Sequence, residues 1–324
     1  MMAQPTSAPT TKRKRDVADG IAQGIAQHYD DLAEQSAADR LKSAIAVPRG
    51  INNLAKAIHI ATHVKSGAIV LDACCGRGGD LQKHAIQNAK MVVGIDISAE
   101  SVEKAKQRAL SLRLPTTIST MFFQSDLGDA IAATALRATL NGKFDAVSCQ
   151  FALHYFGASE VILDTFLETV SSSLKPGGVF FGTVVCDQTI RERFLRAERT
   201  TAPGQTIVIA NSLYSAEWCA PLVAAEAGGG SACHLGQAYR FTLADAVDSC
   251  VEYVMPKSTL ERKAKEHGLS LEEWCNLVPF VERSLKIPHN ATIAAKMHAP
   301  LLSSMTADER AVVSLYTVFA FRKE

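Results

Sequence analysis

The chain has 324 residues, 47% of them hydrophobic, and a formal net charge of +1. This is enough apolar content for one large core or two small ones, while the near-neutral balance excludes a global attraction to nucleic acid and confines any RNA contact to a local patch. No apolar run approaches the roughly 20 residues of a membrane span, the N-terminus lacks the apolar core of a secretory signal, and the eight cysteines, with no C-x-x-C pair among them, suggest neither a disulfide scaffold nor an extracellular protein.

Residues 1–20, MMAQPTSAPTTKRKRDVADG, are rich in Pro, Ser and Thr and carry a basic cluster at Lys12–Arg15. The composition predicts a disordered tail, and the cluster suits a nuclear address, an RNA-attracting arm or a solvated charge run. Residues 21–324 read as one domain, with a variable, substrate-side region near 188–310. From Ile21 to about Val64 the pattern is helical, with a break at Pro48-Arg49-Gly50 and a restart near Ile51.

Alternating units follow. GAIVLDA, KMVVGIDI, TISTMFFQSD, FDAVSCQFAL and PGGVFFGTVV read as successive strands. GDLQKHAIQNA, SAESVEKAKQRALSL and SEVILDTFLETVSSSL read as helices, the second opened by Ser98 as N-cap with Glu100 in its first turn. This order predicts an α/β fold with a doubly wound, mainly parallel sheet. Beyond about Asp187 the alternation fades. VAAEAGGGSACHLGQAY is a Gly/Ala-rich loop, GQAYRFTLADAVDSCVEYVMP suggests strand segments, and STLERKAKEHGL a helix. AVVSLYTVFAFRKE closes the chain as one long strand, antiparallel in the sheet, with Phe319 and Phe321 on one face.

Ligands of such sheets bind beyond the carboxyl ends of the strands, at the switch point. LDACCGRGGD (Leu71–Asp80), Asp96, Asp126 and Gln150 all fall there. A Gly-rich turn after a first strand has three common uses. No G-x-x-x-x-G-K-(S/T) string exists for a P-loop, and no G-x-G-x-x-G register is complete for a dinucleotide. The adjacent Cys74 and Cys75 point to opposite faces if extended, so they are poorly placed to chelate one ion.

The third use is S-adenosylmethionine. IVLDACCGRGG followed by VVGIDIS resembles the (V/L)-L-D-x-G-x-G-x-G signature with an acid ending the second strand. Asp72 then faces the amino acid end of the cofactor, and glycines such as Gly76 let backbone approach it. Asp96 accepts the ribose hydroxyls, and Asp126 meets the adenine amino group. For each acid the alternative is a loop residue or a helix cap.

More specific motifs narrow the family. HYDD (His28–Asp31) resembles HYN, GINNLAKAIHI resembles NFNNWxKxxLI, and LDACCGRGGDLQK resembles LDLGCGKGGDLxK. GIDISAESVEKAKQR, LKPGGVFFGTV and LYTVFAFRKE also fit, and SCQFALHYFGASE is similar to SCQFAxHYxFxSE, which generic methyltransferases lack. The chain resembles the mRNA cap (guanine-N7) methyltransferases over most of its length.

The resemblance implies transfer of a methyl group from S-adenosylmethionine to N7 of the terminal guanine of GpppRNA, with no acid/base residue. It extends the cofactor set to Lys56, Cys74, Ile97, Gln150 and Tyr155. It assigns Phe151, His154, Tyr155 and Tyr316 to a slot for the guanine, Glu252 to the guanine N1–H and N2–H2 donors, and Asn52, Asn53, Arg77, Lys83 and Arg108 to the rest of the cap. It implies capped RNA as partner, other capping enzymes or RNA polymerase II as candidate protein partners, no membrane, no metal and a nuclear location. Without it, Glu252 reads equally well as a solvated strand residue and Tyr316 as core.

Two positions depart from the family. Cys74 stands where it has Gly, so the side chain must turn from the cofactor or the loop must shift. Val185 replaces a proline of the fifth-strand loop. The rival readings are another S-adenosylmethionine-dependent methyltransferase and an inactive cofactor- or RNA-binding subunit.

Overall fold

The computed structural model describes residues 20, 22–31, 37–219 and 234–324. The Lys12–Arg15 cluster and most of the Gly/Ala-rich loop lie outside them. The alternating core runs β1 (Ile69–Ala73), β2 (Met91–Asp96), β3 (Ser119–Gln124), β4 (Phe144–Gln150) and β5 (Leu174–Val185). Among the described residues these join β10 (Leu269–Asn276) and β11 (Tyr316–Lys323) in a seven-stranded sheet of order β10-β11-β5-β4-β1-β2-β3. Strands β1 to β5 pair in parallel, while β11 runs antiparallel to β5 and β10 antiparallel to β11. The doubly wound sheet and its antiparallel closing strand are therefore as expected.

The strand sequences explain this placement. β1, β2 and β4 are almost continuously buried, as parallel strands covered on both faces must be. The chain winds outward through β1, β2 and β3, then returns to set β4 on the other side of β1. That reversal opens a crevice between β1 and β4 at their carboxyl ends.

The helices in chain order are α1 (Ala37–Lys42), α2 (Ala46–His63), α3 (Leu81–Ile86), α4 (Ala99–Ser111), α5 (Ala130–Leu140), α6 (Glu160–Ser173), α7 (Asp187–Glu198), α8 (Lys257–Glu266), α9 (Leu277–Ser284), α10 (Pro288–Lys296) and α11 (Ala307–Val313). Ser98 caps α4 as expected, accepting from Ser101 N at 2.9 Å, an arrangement worth about 1 kcal/mol.

Two local expectations fail. α2 runs unbroken through Pro48-Arg49-Gly50, because Pro48 falls in the first turn, where no intrahelical N–H bond is lost. Residues 311–313 belong to α11, not to the closing strand. A capping box starts that helix: Glu309 N donates to Thr306 Oγ1 and Thr306 N to Glu309 Oε2.

A second sheet, of order β6-β7-β8-β9, occupies the region expected to vary. Its strands β6 (Val208–Ala210), β7 (Tyr214–Trp218), β8 (Ala238–Leu243) and β9 (Val247–Tyr253) pair antiparallel. Trp218, Tyr239 and Phe241 share one core cluster with Ile51, Leu54 and Ile58 of α2 and with Phe194 of α7. The second sheet is thereby packed onto the end of the molecule where the crevice opens. Among the described residues no helix is long and apolar enough to cross a membrane.

Candidate active site

The turn after β1 sets the site. Gly76 and Gly78 have φ of +51° and +69°, a region costly for side chains. A Cβ on Gly78 would also press on Ala105 at 3.3 Å. Gly76 N donates to Asp96 Oδ2 at 2.7 Å and Ser98 N to Asp96 Oδ1 at 3.0 Å, so Asp96 ties the turn to the start of α4. A carboxylate accepts about four hydrogen bonds, so these leave acceptor capacity for a ribose hydroxyl. Burial raises the Asp96 carboxyl, and the N–H groups of Ser98, Gly76 and Ile97 oppose that rise.

Cys74 has φ +60°, which for a side chain costs roughly 1–2 kcal/mol. Its thiol meets that of Cys149 on β4, and this contact, with burial, lifts its pKa well above the ordinary value. The loop has kept the backbone that suits glycine and turned the sulfur toward β4. Cys75 is buried, and its N donates to Ile95 O at 3.0 Å. The seven described cysteines are free thiols.

Beneath the turn lies a compact charge cluster. Asp80 is bound by Lys56 at 2.9 Å and by Lys83 at 2.7 Å. Burial works to raise its carboxyl, but the two ammonium groups prevail and hold it below the usual carboxylate range. Asp72 is 4% exposed. Burial, reinforced by the Asp80 charge, pushes it up to about 8. Such a carboxyl fits a cationic ligand group, the chemistry of the amino acid end of S-adenosylmethionine. On the next strands, Ile97 O accepts from Gln124 Nε2 at 3.3 Å and Asp126 Oδ1 accepts from Gly128 N at 2.7 Å.

Across the crevice, β4 ends in Gln150 and Phe151. Thr183 of β5 pins both: its Oγ1 donates to Gln150 Oε1 at 3.2 Å, and Phe151 N donates to Thr183 O at 3.0 Å. Phe151 is held at φ +58°. Its ring meets Tyr316 edge-on at 4.8 Å, and Lys56 Nζ sits 5.8 Å from its centroid. A 3₁₀ turn over Leu153–Ala158 then brings His154 and Tyr155 together, ring centroids 4.4 Å apart. Val185 is buried and pairs with Tyr316 across the sheet.

Glu252 arrives from β9. It is 4% exposed, and Tyr239 Oη donates to its Oε2 at 2.7 Å. His154 Nε2 stands 3.6 Å from its Oε1, yet neither His154 ring nitrogen has a hydrogen-bond partner. Burial and the Glu252 charge raise the phenols of Tyr239 and Tyr316. The slot residues named from the sequence, Phe151, His154, Tyr155, Glu252 and Tyr316, are thus gathered in one place.

Other expected contacts stand at its rim. Asn52 and Asn53 precede Lys56 on α2, and Asn52 Oδ1 is buried without a partner. Arg77 Nη2 donates to Tyr29 O at 3.4 Å, and Arg108 Cδ lies 3.6 Å from where a Cβ on Gly78 would stand. Lys83, expected on the cap, is engaged by Asp80.

Four contributors were not named as site residues. Tyr29, from the helical segment 22–31 and the HYDD motif, shares a 2.8 Å contact between its Oη and Tyr155 Oη. Cys250 Sγ lies 3.6 Å from the same Tyr155 Oη. Tyr239 faces Glu252 across the β8–β9 register, a pairing that hairpin alignment of the two segments would have exposed. Asp80 lies inside the Gly-rich motif itself.

Comparison with known proteins agrees with this geometry. Residues 12–324 match the model of the mRNA (guanine-N(7))-methyltransferase domain. The mRNA cap guanine-N(7) methyltransferase of Meyerozyma guilliermondii is 31% identical over 92% of this chain, which spans 57% of that relative's length. The protein of the same name from Saccharomyces cerevisiae is 31% identical, with 94% of this chain and 70% of that one covered. The mRNA cap guanine-N(7) methyltransferase 1 of Arabidopsis thaliana is 30% identical, with 94% and 82% covered. With its parallel sheet, Gly-rich turn and aromatic slot in one crevice, the chain belongs to the mRNA (guanine-N7)-methyltransferase family.

Proposed function

We propose that this protein methylates N7 of the terminal guanine of GpppRNA, using S-adenosylmethionine, to give the m7G cap. The observation that carries the reading is Glu252, a buried carboxylate braced by Tyr239 among Tyr155, His154 and Tyr316. It accepts the N1–H and N2–H2 donors of guanine. Adenine lacks those donors and would leave the carboxylate buried and unpaired.

When bound, S-adenosylmethionine supplies a methyl group already activated by its sulfonium. Guanine N7 carries a free lone pair at neutral pH, so this chain has no proton to remove, and its residues act by positioning. Asp72 and Lys56 hold the two charged ends of the amino acid group. Asp96 holds the ribose, and Asp126 the adenine. Phe151, Tyr155 and Tyr316 present flat faces to the guanine. Arg77 and Arg108, with Asn52 and Asn53, serve the cap's sugar and phosphates. Labelled methyl transfer tests the proposal: GpppRNA should accept label and ApppRNA should not. Label on neither substrate, or equal label on both, would overturn it.

Asp72 makes cofactor binding pH-dependent. Its carboxyl is protonated below about pH 8 in the ligand-free protein, and a cationic ligand favours the ionised form. Affinity should therefore rise with pH up to about 8, by at most about tenfold per unit. At pH 7 binding should release a proton. Calorimetry in two buffers of different ionisation heat reads this directly, and the release should vanish in Asp72→Asn. The same release in that variant would assign the proton elsewhere.

The nucleus is the proposed location, from the Lys12–Arg15 cluster and from the reaction itself. Other capping enzymes or RNA polymerase II are the proposed protein partners, since no K-x-D-G nucleotidyl-lysine motif occurs in the chain.

A further inference from the structure

The C-terminal half of α2 carries chemistry that cap methylation does not use. His59 and His63 are one helical turn apart and so share a face. Glu273 reaches them from β10, at the edge of the sheet. His59 Nε2 stands 3.3 Å from Glu273 Oε2, and one donor atom from each of the three residues lies within 4.8 Å of the others.

The surroundings make these nitrogens conspicuous. His59 is 0% exposed. Its Nδ1 has no hydrogen-bond partner, its Nε2 meets only Glu273, and His63 Nε2 is also buried without a partner. Phe181 and Phe280 press edge-on against the His59 ring at 5.2 and 5.5 Å. Arg283 engages Glu273 through Oε1, which leaves Oε2 toward the histidines. A simple His59–Glu273 hydrogen bond would still leave His63 Nε2 unpaired.

We propose that His59, His63 and Glu273 form a binding site for a divalent transition metal ion, with zinc the ion the donors suit. Two imidazoles and one carboxylate are a familiar zinc ligand set, with water in the fourth tetrahedral position. Zn–N distances of about 2.0–2.1 Å require donor atoms roughly 3.3 Å apart. The His59–Glu273 pair already has that spacing, and the remaining gap closes by side-chain rotation. Glu273 is 22% exposed, which gives the ion an entry path.

The role that follows is mechanical. Asn52, Lys56, His59 and His63 follow one another at four-, three- and four-residue steps along one face of α2. An ion at the far end would fasten to the sheet edge the helix that delivers Lys56 to Asp80. The His59–His63 spacing is visible in the sequence, but the third ligand is not, because Glu273 joins from a distant strand.

The test uses the full chain stripped with a chelator. Zinc titration should show one equivalent bound with a raised Tm. Cobalt(II), substituted as a spectroscopic probe, should show visible d–d bands without the charge transfer of a thiolate ligand. His63→Gln and Glu273→Gln should each weaken zinc binding by at least about tenfold, with circular dichroism unchanged. Two separate variants guard against one failing to fold. Absence of stoichiometric binding by the wild type, unchanged affinity in both variants, or a thiolate charge-transfer band would overturn the proposal. None of these outcomes depends on the methyl-transfer activity.

Discussion

Glu252→Gln is expected to lower kcat/KM for GpppRNA by about 10²–10³-fold, roughly 3–4 kcal/mol of transition-state stabilisation. The cofactor's Kd should stay within about twofold. The substitution keeps shape and removes only the acceptor pattern. Tyr239 donates to one oxygen of Glu252 at 2.7 Å, so the amide carbonyl will turn to meet that phenol. The amide NH2 is then aimed at the guanine, donor against donor, in a buried place where neither finds water. Steady-state kinetics on GpppRNA, with cofactor binding measured separately, decides the matter. A kcat/KM within threefold of wild type would remove Glu252 from the guanine site.

The largest effect on stability is expected at Gly182. A Cβ there would stand 1.7 Å from Cys149 O and 2.6 Å from Cys149 C, inside the backbone of the neighbouring strand. Side-chain rotation cannot relieve this, so β4 and β5 must separate where Cys149 pairs with Gly182. Gly182→Ala should cost more than about 3 kcal/mol, and Tm should fall by at least roughly 4–5 °C or the protein should not accumulate. A melt within about 2 °C of wild type would show that the strands can move apart cheaply. The next residue, Thr183, anchors Gln150 and Phe151, so any surviving protein should also lose activity.

The parallel core was legible because β1, β2 and β4 are short, largely buried runs, and the acids that follow the strands fell where the crevice formed. Other elements carried weaker local signals. α5, ALA-rich through AIAATALRATL, buries only Ala133 and Leu140, so its periodicity is faint. Residues 311–313 contain two valines, and strand propensity pointed the wrong way there. The TADE capping box ahead of them outweighed it, and that motif was present in the sequence to be read. Pro48 breaks a helix only when it lies past the first turn, and the boundary that decides this carries little local signal in the sequence.

The site divides in a similar way. Contiguous motifs brought out Asp72, Gly76, Asp96 and the Phe151–Tyr155 stretch. Tyr239 and Cys250 belong to no such motif and join only when β8 and β9 pair. Tyr29 reaches Tyr155 from a segment separated from it by most of the parallel core. The family resemblance pointed to Cys74 as an intrusion, but the left-handed backbone that glycine favours is kept there, with the thiol on Cys149.

The aromatic slot takes Tyr155 from the loop after β4, Tyr239 and Glu252 from the second sheet, and Tyr316 from the antiparallel strand. No single piece of chain contains a working part of it. Catalysis is therefore a coincidence detector for the whole architecture. If the proposed guanine site is right, a partly melted molecule that still holds its Gly-rich turn should keep cofactor binding and lose turnover, which makes turnover the stricter gauge of native structure.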